Sequence, residues 1–207
     1  MITTTPKYEI ILFYKYAHID NPVGLMREQK KLQERLGLKG RTIIASEGIN
    51  ATLEGTTENI EEYLNHFLSD PRFADTHIKR DPGTGNAFPR TSIKVRNEIV
   101  SLGLGETCDI DPNQLTGIHL KPQELHQWFA EGKQFYIVDM RNAYEHQVGH
   151  FEGSILPAMD NFRDLPKFLD SIQHLKDKTV LTVCTGGVRC EKASGYLLDN
   201  GFTDEYQ

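Results

Sequence analysis

The run Thr179–Val183, every residue apolar or β-branched, passes without a break into Cys184-Thr-Gly-Gly-Val-Arg189. A segment with helical spacing follows, with Ala193, Tyr196 and Leu197 on one stripe and Gly201 as its stop. A strand that is apolar on both faces belongs in a covered parallel sheet. Two adjacent glycines let the chain reverse sharply, and a helix leaving that reversal aims its N-terminus back at the strand end. This order restricts the C-terminal half to an α/β fold and puts Cys184 at the carboxyl edge of the sheet, where such folds hold ligands.

Upstream of that strand the same rhythm predicts a helix over 119–130, a strand over 135–139 and another helix over 142–148. The N-terminal half reads differently. Tyr8–Tyr16 has strand composition, and Leu25, Leu32 and Leu36 form a helical stripe ended by Gly37. Residues 41–45 and 51–53 predict two strands joined through Ser46-Glu47-Gly48-Ile49-Asn50. Thr57 opens a second helix with Ile60, Leu64, Phe67 and Leu68 on its stripe, and residues 92–95 predict a further strand. Strand, helix, strand, strand, helix, strand is the split βαβ order of a ferredoxin-like α+β domain. The 207 residues therefore divide into a ferredoxin-like domain over 1–100, a linker over 101–117 and an α/β domain with a parallel sheet over 118–207.

The loop chemistry centres on one sulfur. Inward-turned amides of Thr185, Gly186, Gly187, Val188, Arg189 and Cys190, the helix N-terminus and the Arg189 charge together favour an anion. Cys184 is thus expected to be a thiolate nucleophile near neutral pH. Four residues separate Cys184 from Arg189, one fewer than in cysteine phosphatases, so the ring suits a sulfur or small anion better than a phosphate. Two local cysteines without a nearby histidine do not make a zinc site, and no metal is expected. Cys190 reads as a packing residue before a resolving thiol, and Cys108 as a packing residue.

Cys184-Thr-Gly-Gly-Val-Arg189 resembles the active-site loop of rhodanese domains. Ile137-Val-Asp-Met-Arg141, Glu145, Gly149-His150 and Gly153-Ser154-Ile155 resemble the motifs that open such domains. Continuing the loop through Cys190-Glu-Lys-Ala-Ser194, and adding Ser46-Glu-Gly-Ile-Asn-Ala-Thr52 and Lys94-Val-Arg-Asn-Glu-Ile-Val-Ser-Leu-Gly103, makes the likeness narrower. The chain resembles the tRNA uridine hydroxylase family of rhodanese-domain proteins. That resemblance implies oxygen-dependent formation of 5-hydroxyuridine at the wobble position of tRNA, with Cys184 essential, molecular oxygen as co-substrate, no recognised cofactor and tRNA as partner. A sulfurtransferase carrying a Cys184 persulfide is the alternative. Family members continue beyond residue 207, so the rhodanese-like domain is expected to be truncated at its C-terminal end.

Other residues take supporting parts. Asp139 and Arg141 follow a strand end and are expected to organise it by an ion pair rather than to act in catalysis. His150 is expected to hold its turn. Arg80, Arg90, Lys94 and Arg96 fall in a segment with one acid, Asp81, and form a possible RNA-binding patch within a chain of net charge −6. Tyr8, Phe13, Tyr14 and Tyr16 offer rings for base stacking, some of which must be core. The first strand-to-helix loop, Tyr16 to Leu25, has no Arg or Lys, which argues against acylphosphatase activity. Met1–Thr5 lacks a secretory pattern and no apolar run nears the roughly 20 residues of a membrane span, so a cytoplasmic protein without a membrane segment is expected. Nothing in the sequence sets the oligomeric state.

Overall fold

A computed structural model gives the protein's structure over residues 7–104, 110–157 and 159–207. The chain folds as two compact units, Met1–Ile99 and Val100–Gln207. Cys108 lies outside the described residues.

In the first unit, β1 (Tyr8–Tyr16), β2 (Lys39–Ala45), β3 (Gly48–Thr56), β4 (Lys79–Gly83) and β5 (Thr91–Val95) form one sheet in the order β4-β1-β3-β2-β5. Helices α1 (Pro22–Arg35) and α2 (Thr57–Leu68) pack on it. Asn21 caps α1 by accepting from the Gly24 amide at 2.9 Å, and Pro22 fits the first turn, where its missing N–H has no intrahelical partner to lose. Thr56 caps α2 in the same way. The core joins Ile11 and Phe13 of β1 to Leu25 and Leu32 of α1 and to Ile60, Tyr63, Leu64 and Phe67 of α2. Phe13 and Tyr16 are therefore core residues, while Tyr8 and Tyr14 are half-buried.

One strand was not expected, and it changes the topology. The fourth strand of the split βαβ order is β4, antiparallel to β1 at one edge, and the strand expected over 92–95 is a fifth that runs parallel to β2 at the opposite edge. Lys79-Arg80-Asp81-Pro82-Gly83 has no apolar residue to signal a strand. An edge tolerates this composition, because Pro there forfeits no ladder hydrogen bond. The loop after β4 is organised by the buried Glu54 carboxylate, which accepts from the amides of Thr84 at 2.8 Å, Gly85 at 2.7 Å and Ala87 at 2.8 Å. Burial opposes its ionisation, but those amides win and hold its pKa below the usual carboxylate range.

The second unit is built on a parallel sheet of β6 (Tyr136–Asp139), β7 (Thr179–Val183) and β8 (Asp204–Tyr206), in that order. Single bridges extend it at both sides, Ile155 beside Val138 and Ile118 beside Tyr206. Helices α3 (Pro122–Ala130), α4 (Ala143–Val148), α5 (Leu165–Ile172) and α6 (Val188–Asp199) complete the unit. The helix α5 lies outside the sequence-based expectations although Leu165, Leu169 and Ile172, all buried, have helical spacing. The segment expected to be a linker contributes Leu102 and Ile110 to this second core, and Gly117 donates its amide to Ser194 Oγ at 2.8 Å. Among the described residues no helix is long and apolar enough to cross a membrane.

Candidate active site

Cys184 follows the last residue of β7, and the chain reverses through Thr185-Gly186-Gly187 into α6. Gly187 makes the reversal possible with φ of 99°, a left-handed conformation that a side chain would strain. The Gly187 amide then donates to Cys184 Sγ at 3.0 Å, and the amides of Arg189 and Cys190 are directed at the same atom.

The Cys190 thiol is the largest influence on that sulfur. It donates to Cys184 Sγ and, with the three amides, outweighs the cost of burial to pull the Cys184 pKa down to about 6. Cys190 moves the other way, pushed up by complete burial and by the neighbouring thiolate. The pair thus divides its roles at neutral pH: Cys184, half-buried, holds the charge and Cys190, buried, holds the proton. Iodoacetamide is expected to alkylate Cys184 with a rate that rises through a midpoint near pH 6, against about 8.5 for a free cysteine. Peptide mapping across a pH series reads this directly.

Arg189 does not supply the free positive charge its position implied. Its Nη1 and Nη2 donate to the two oxygens of Glu145, both at 2.8 Å. Burial opposes ionisation of Glu145, yet Arg189, Thr185 Oγ1 at 2.8 Å and the Asn142 amide hold its pKa at about 2. Glu145 therefore clamps the loop to α4. The sequence resemblance included this residue without giving it a role; the signal was the pattern Asn142-x-x-Glu145, a capping box at the start of α4.

Asp139 and Arg141 form a bidentate pair, Nε to Oδ1 at 3.0 Å and Nη2 to Oδ2 at 2.7 Å, and Arg141 Nη2 also reaches the Gly149 carbonyl at 2.6 Å. This anchors the turn that walls the cysteine. Arg141, Gly149, His150, Phe151, Val183 and Cys184 line a pocket of about 250 Å³. His150 stacks on His146 with ring centroids 3.9 Å apart, and its Nδ1 lies 3.0 Å from the His146 carbonyl. Its place in the turn is fixed, and the residue also lines the pocket.

Deep in the same unit, Glu205 on β8 is 2% exposed, and among the described residues neither carboxyl oxygen meets a partner at good hydrogen-bond geometry, Thr182 offsetting little of the burial. Burial pushes its pKa up to about 9. The folded state keeps the proton while the unfolded chain loses it above the ordinary value of 4.5, so the destabilisation grows as pH rises through that interval. Glu205→Met is expected to raise stability at neutral pH by about 1–3 kcal/mol, with a much smaller gain under acid conditions. Urea unfolding at the two pH values measures both.

The four basic residues of the first unit are not brought together. Arg80 on β4 pairs with Glu61 and Glu9, and Lys94 is exposed on β5 at the other edge, four strand spacings or about 19 Å away. Arg90 and Arg96 are exposed near Lys94, with Arg96 Nη1 on the Val95 carbonyl at 3.0 Å. Among the described residues no group of three His, Cys, Asp or Glu is placed to hold a metal.

A cysteine cradled by amides at the end of a parallel strand, with a ferredoxin-like unit before it, defines a two-domain protein of the rhodanese class. Residues 8–99 match the UPF0176 acylphosphatase like domain and residues 121–207 the Rhodanese-like domain, and the chain belongs to the proteins that join the two. Among curated proteins it is similar to the tRNA uridine(34) hydroxylases. It is 45% identical to that of Bacillus licheniformis over 97% of this chain and 62% of the relative, and 41% identical to that of Enterococcus faecalis over 97% and 63%. The Onion yellows phytoplasma protein of the same name is 44% identical over 99% of this chain and 66% of its own length. The chain thus spans a little under two thirds of the relatives it matches.

Proposed function

We propose that the protein hydroxylates the wobble uridine of tRNA at C5, with Cys184 as the reactive group, molecular oxygen as co-substrate and the N-terminal domain holding RNA. One oxygen atom goes to C5 and the other leaves as water, with two electrons and two protons from two external thiols that are oxidised to a disulfide. The observation that carries this reading is Cys184 at the wall of a pocket of about 250 Å³ whose lining Arg141 is already paired with Asp139, while Arg189 of the cysteine loop is paired with Glu145. That volume is below the roughly 300–1,000 Å³ of sites for drug-sized ligands and suits a single ring. Charge pairing favours a neutral ring, such as uracil, over an anionic sulfur donor.

The names of the relatives supply the substrate, and the exposed Arg90, Lys94 and Arg96 on one sheet edge supply phosphate contacts for it. The test is to incubate the protein with tRNA under isotopically heavy oxygen gas and to analyse the nucleosides by mass spectrometry. Heavy oxygen in 5-hydroxyuridine is the expected result; unmodified tRNA, or a hydroxyl derived from water, refutes it. Sulfurtransfer is favoured by the amide cradle alone. A gain of one sulfur atom on Cys184 with thiosulfate, followed by fast transfer to cyanide, would replace the proposal.

A further inference from the structure

We infer that Cys184 acts by adding to C6 of the uracil ring, and that the protein consequently exchanges the C5 hydrogen of uridine with solvent without any oxygen. This inference rests on the proposed function for its substrate but not for its chemistry.

Uracil is a conjugated carbonyl compound whose C6 is its electrophilic carbon, and a soft thiolate is the side chain best matched to it. C5 is only a weak nucleophile in the intact ring, and attack at C6 turns it into a far more reactive enolate carbon. Cys184 is half-buried and lines the pocket, so an attacking group and a ring-sized space coincide. Phe151, 44% exposed, and His150 line the same space, and aromatic side chains beside such a space are suited to stacking on a base. Arg141 lines it too. Its Nε and Nη2 are committed to Asp139 and Gly149, while its Nη1 carries no hydrogen bond among the described residues and remains to meet a carbonyl oxygen that gains charge.

The electrons balance without an oxidant. The sulfur lone pair forms the S–C6 bond, the C5=C6 pair moves onto C5 and O4 as an enolate, and C5 takes a proton from water. Loss of either C5 hydrogen as a proton then restores the enolate, which expels the thiolate and reforms the double bond. The Cys190 thiol and the amides of Gly187, Arg189 and Cys190 receive the returning charge, so the sulfur is a good leaving group as well as a nucleophile. The enolate carbon is the atom that receives oxygen in the proposed hydroxylation.

The experiment uses the 207-residue chain under anaerobic conditions. Two substrates carry deuterium at C5: an anticodon stem-loop RNA with a wobble uridine, and free uridine in large excess. Mass spectrometry of the nucleoside is expected to show deuterium loss from the RNA, slower loss from free uridine, and a rate at least ~100-fold lower for Cys184→Ser. Because a variant can fail for structural reasons, wild-type protein is also mixed with 5-nitrouridine, whose nitro group retains the C5 charge. A covalent adduct mapped to Cys184 is expected. Deuterium retained in both substrates, under conditions in which iodoacetamide still modifies Cys184, overturns the inference. Hydroxylation without exchange would remove this step and leave the proposed function standing; exchange without hydroxylation would do the reverse.

Discussion

Cys184→Ser is expected to lower 5-hydroxyuridine formation by at least ~10³-fold while leaving a folded rhodanese-like unit. Serine is nearly isosteric, so the Gly187 amide that meets Sγ at 3.0 Å still finds an acceptor and the loop has no reason to rearrange. What disappears is the anion. Three amides and one thiol proton are enough to bring a cysteine from 9.0 to about 6, but an alcohol begins far higher and stays protonated at any working pH. The same shift fixes the pH dependence of the wild type, whose turnover should fall as pH drops through about 6, where the thiolate takes up its proton. Stability follows with a definite sign. The depressed folded value makes the wild-type thiolate stabilising above its unfolded pKa, and that contribution is lost as pH falls from 9.0 to about 6, so the serine variant should approach wild-type stability in mild acid. Nucleoside mass spectrometry and urea unfolding across that range check the two halves. Serine turnover within tenfold of wild type would remove the thiolate from the chemistry.

The parts of this molecule that were legible are those where apolar burial dictates the sequence. Thr179–Val183 is buried at its centre from both sides, so its composition announces a parallel strand, and Gly187 marks the turn because only its conformation closes the loop. The β4 strand was illegible for the opposite reason, since an exposed edge places no apolar demand on Lys79–Gly83. Charged groups whose partners are distant in sequence were equally silent. Glu54 meets amides some thirty residues later, and Glu145 meets Arg189 across a separation of 44. The Arg189 charge was visible in the sequence but its pairing with Glu145 was not. Proximity in sequence was a poor guide to proximity in space for Arg80, which sits on the strand at the opposite sheet edge from Lys94.

Asp139→Ala is expected to cost about 3 kcal/mol, the lower end of the roughly 3–5 kcal/mol typical for breaking a buried ion pair. Asp139 is 0% exposed, so its carboxylate is retained only because Arg141 and the Arg141 amide satisfy it, the amide at 3.0 Å. The lower end applies because the Arg141 side chain is 20% exposed and, once released, regains some water. With a urea dependence of about 1–3 kcal/mol per molar, the unfolding midpoint should fall by about 1–3 M. The substitution has a second consequence at the pocket. With its carboxylate gone, Arg141 becomes an uncompensated cation beside Cys184, and anionic iodoacetate should gain on neutral iodoacetamide by about tenfold relative to wild type. Asp139→Asn keeps an acceptor for the Arg141 amide, so it should recover part of the stability while showing the same change in reagent preference. That combination separates charge from packing: a preference unchanged in both variants would mean that the Asp139 pair does not set the neutrality of the pocket, and the case for an uncharged ring at Cys184 would lose its electrostatic basis.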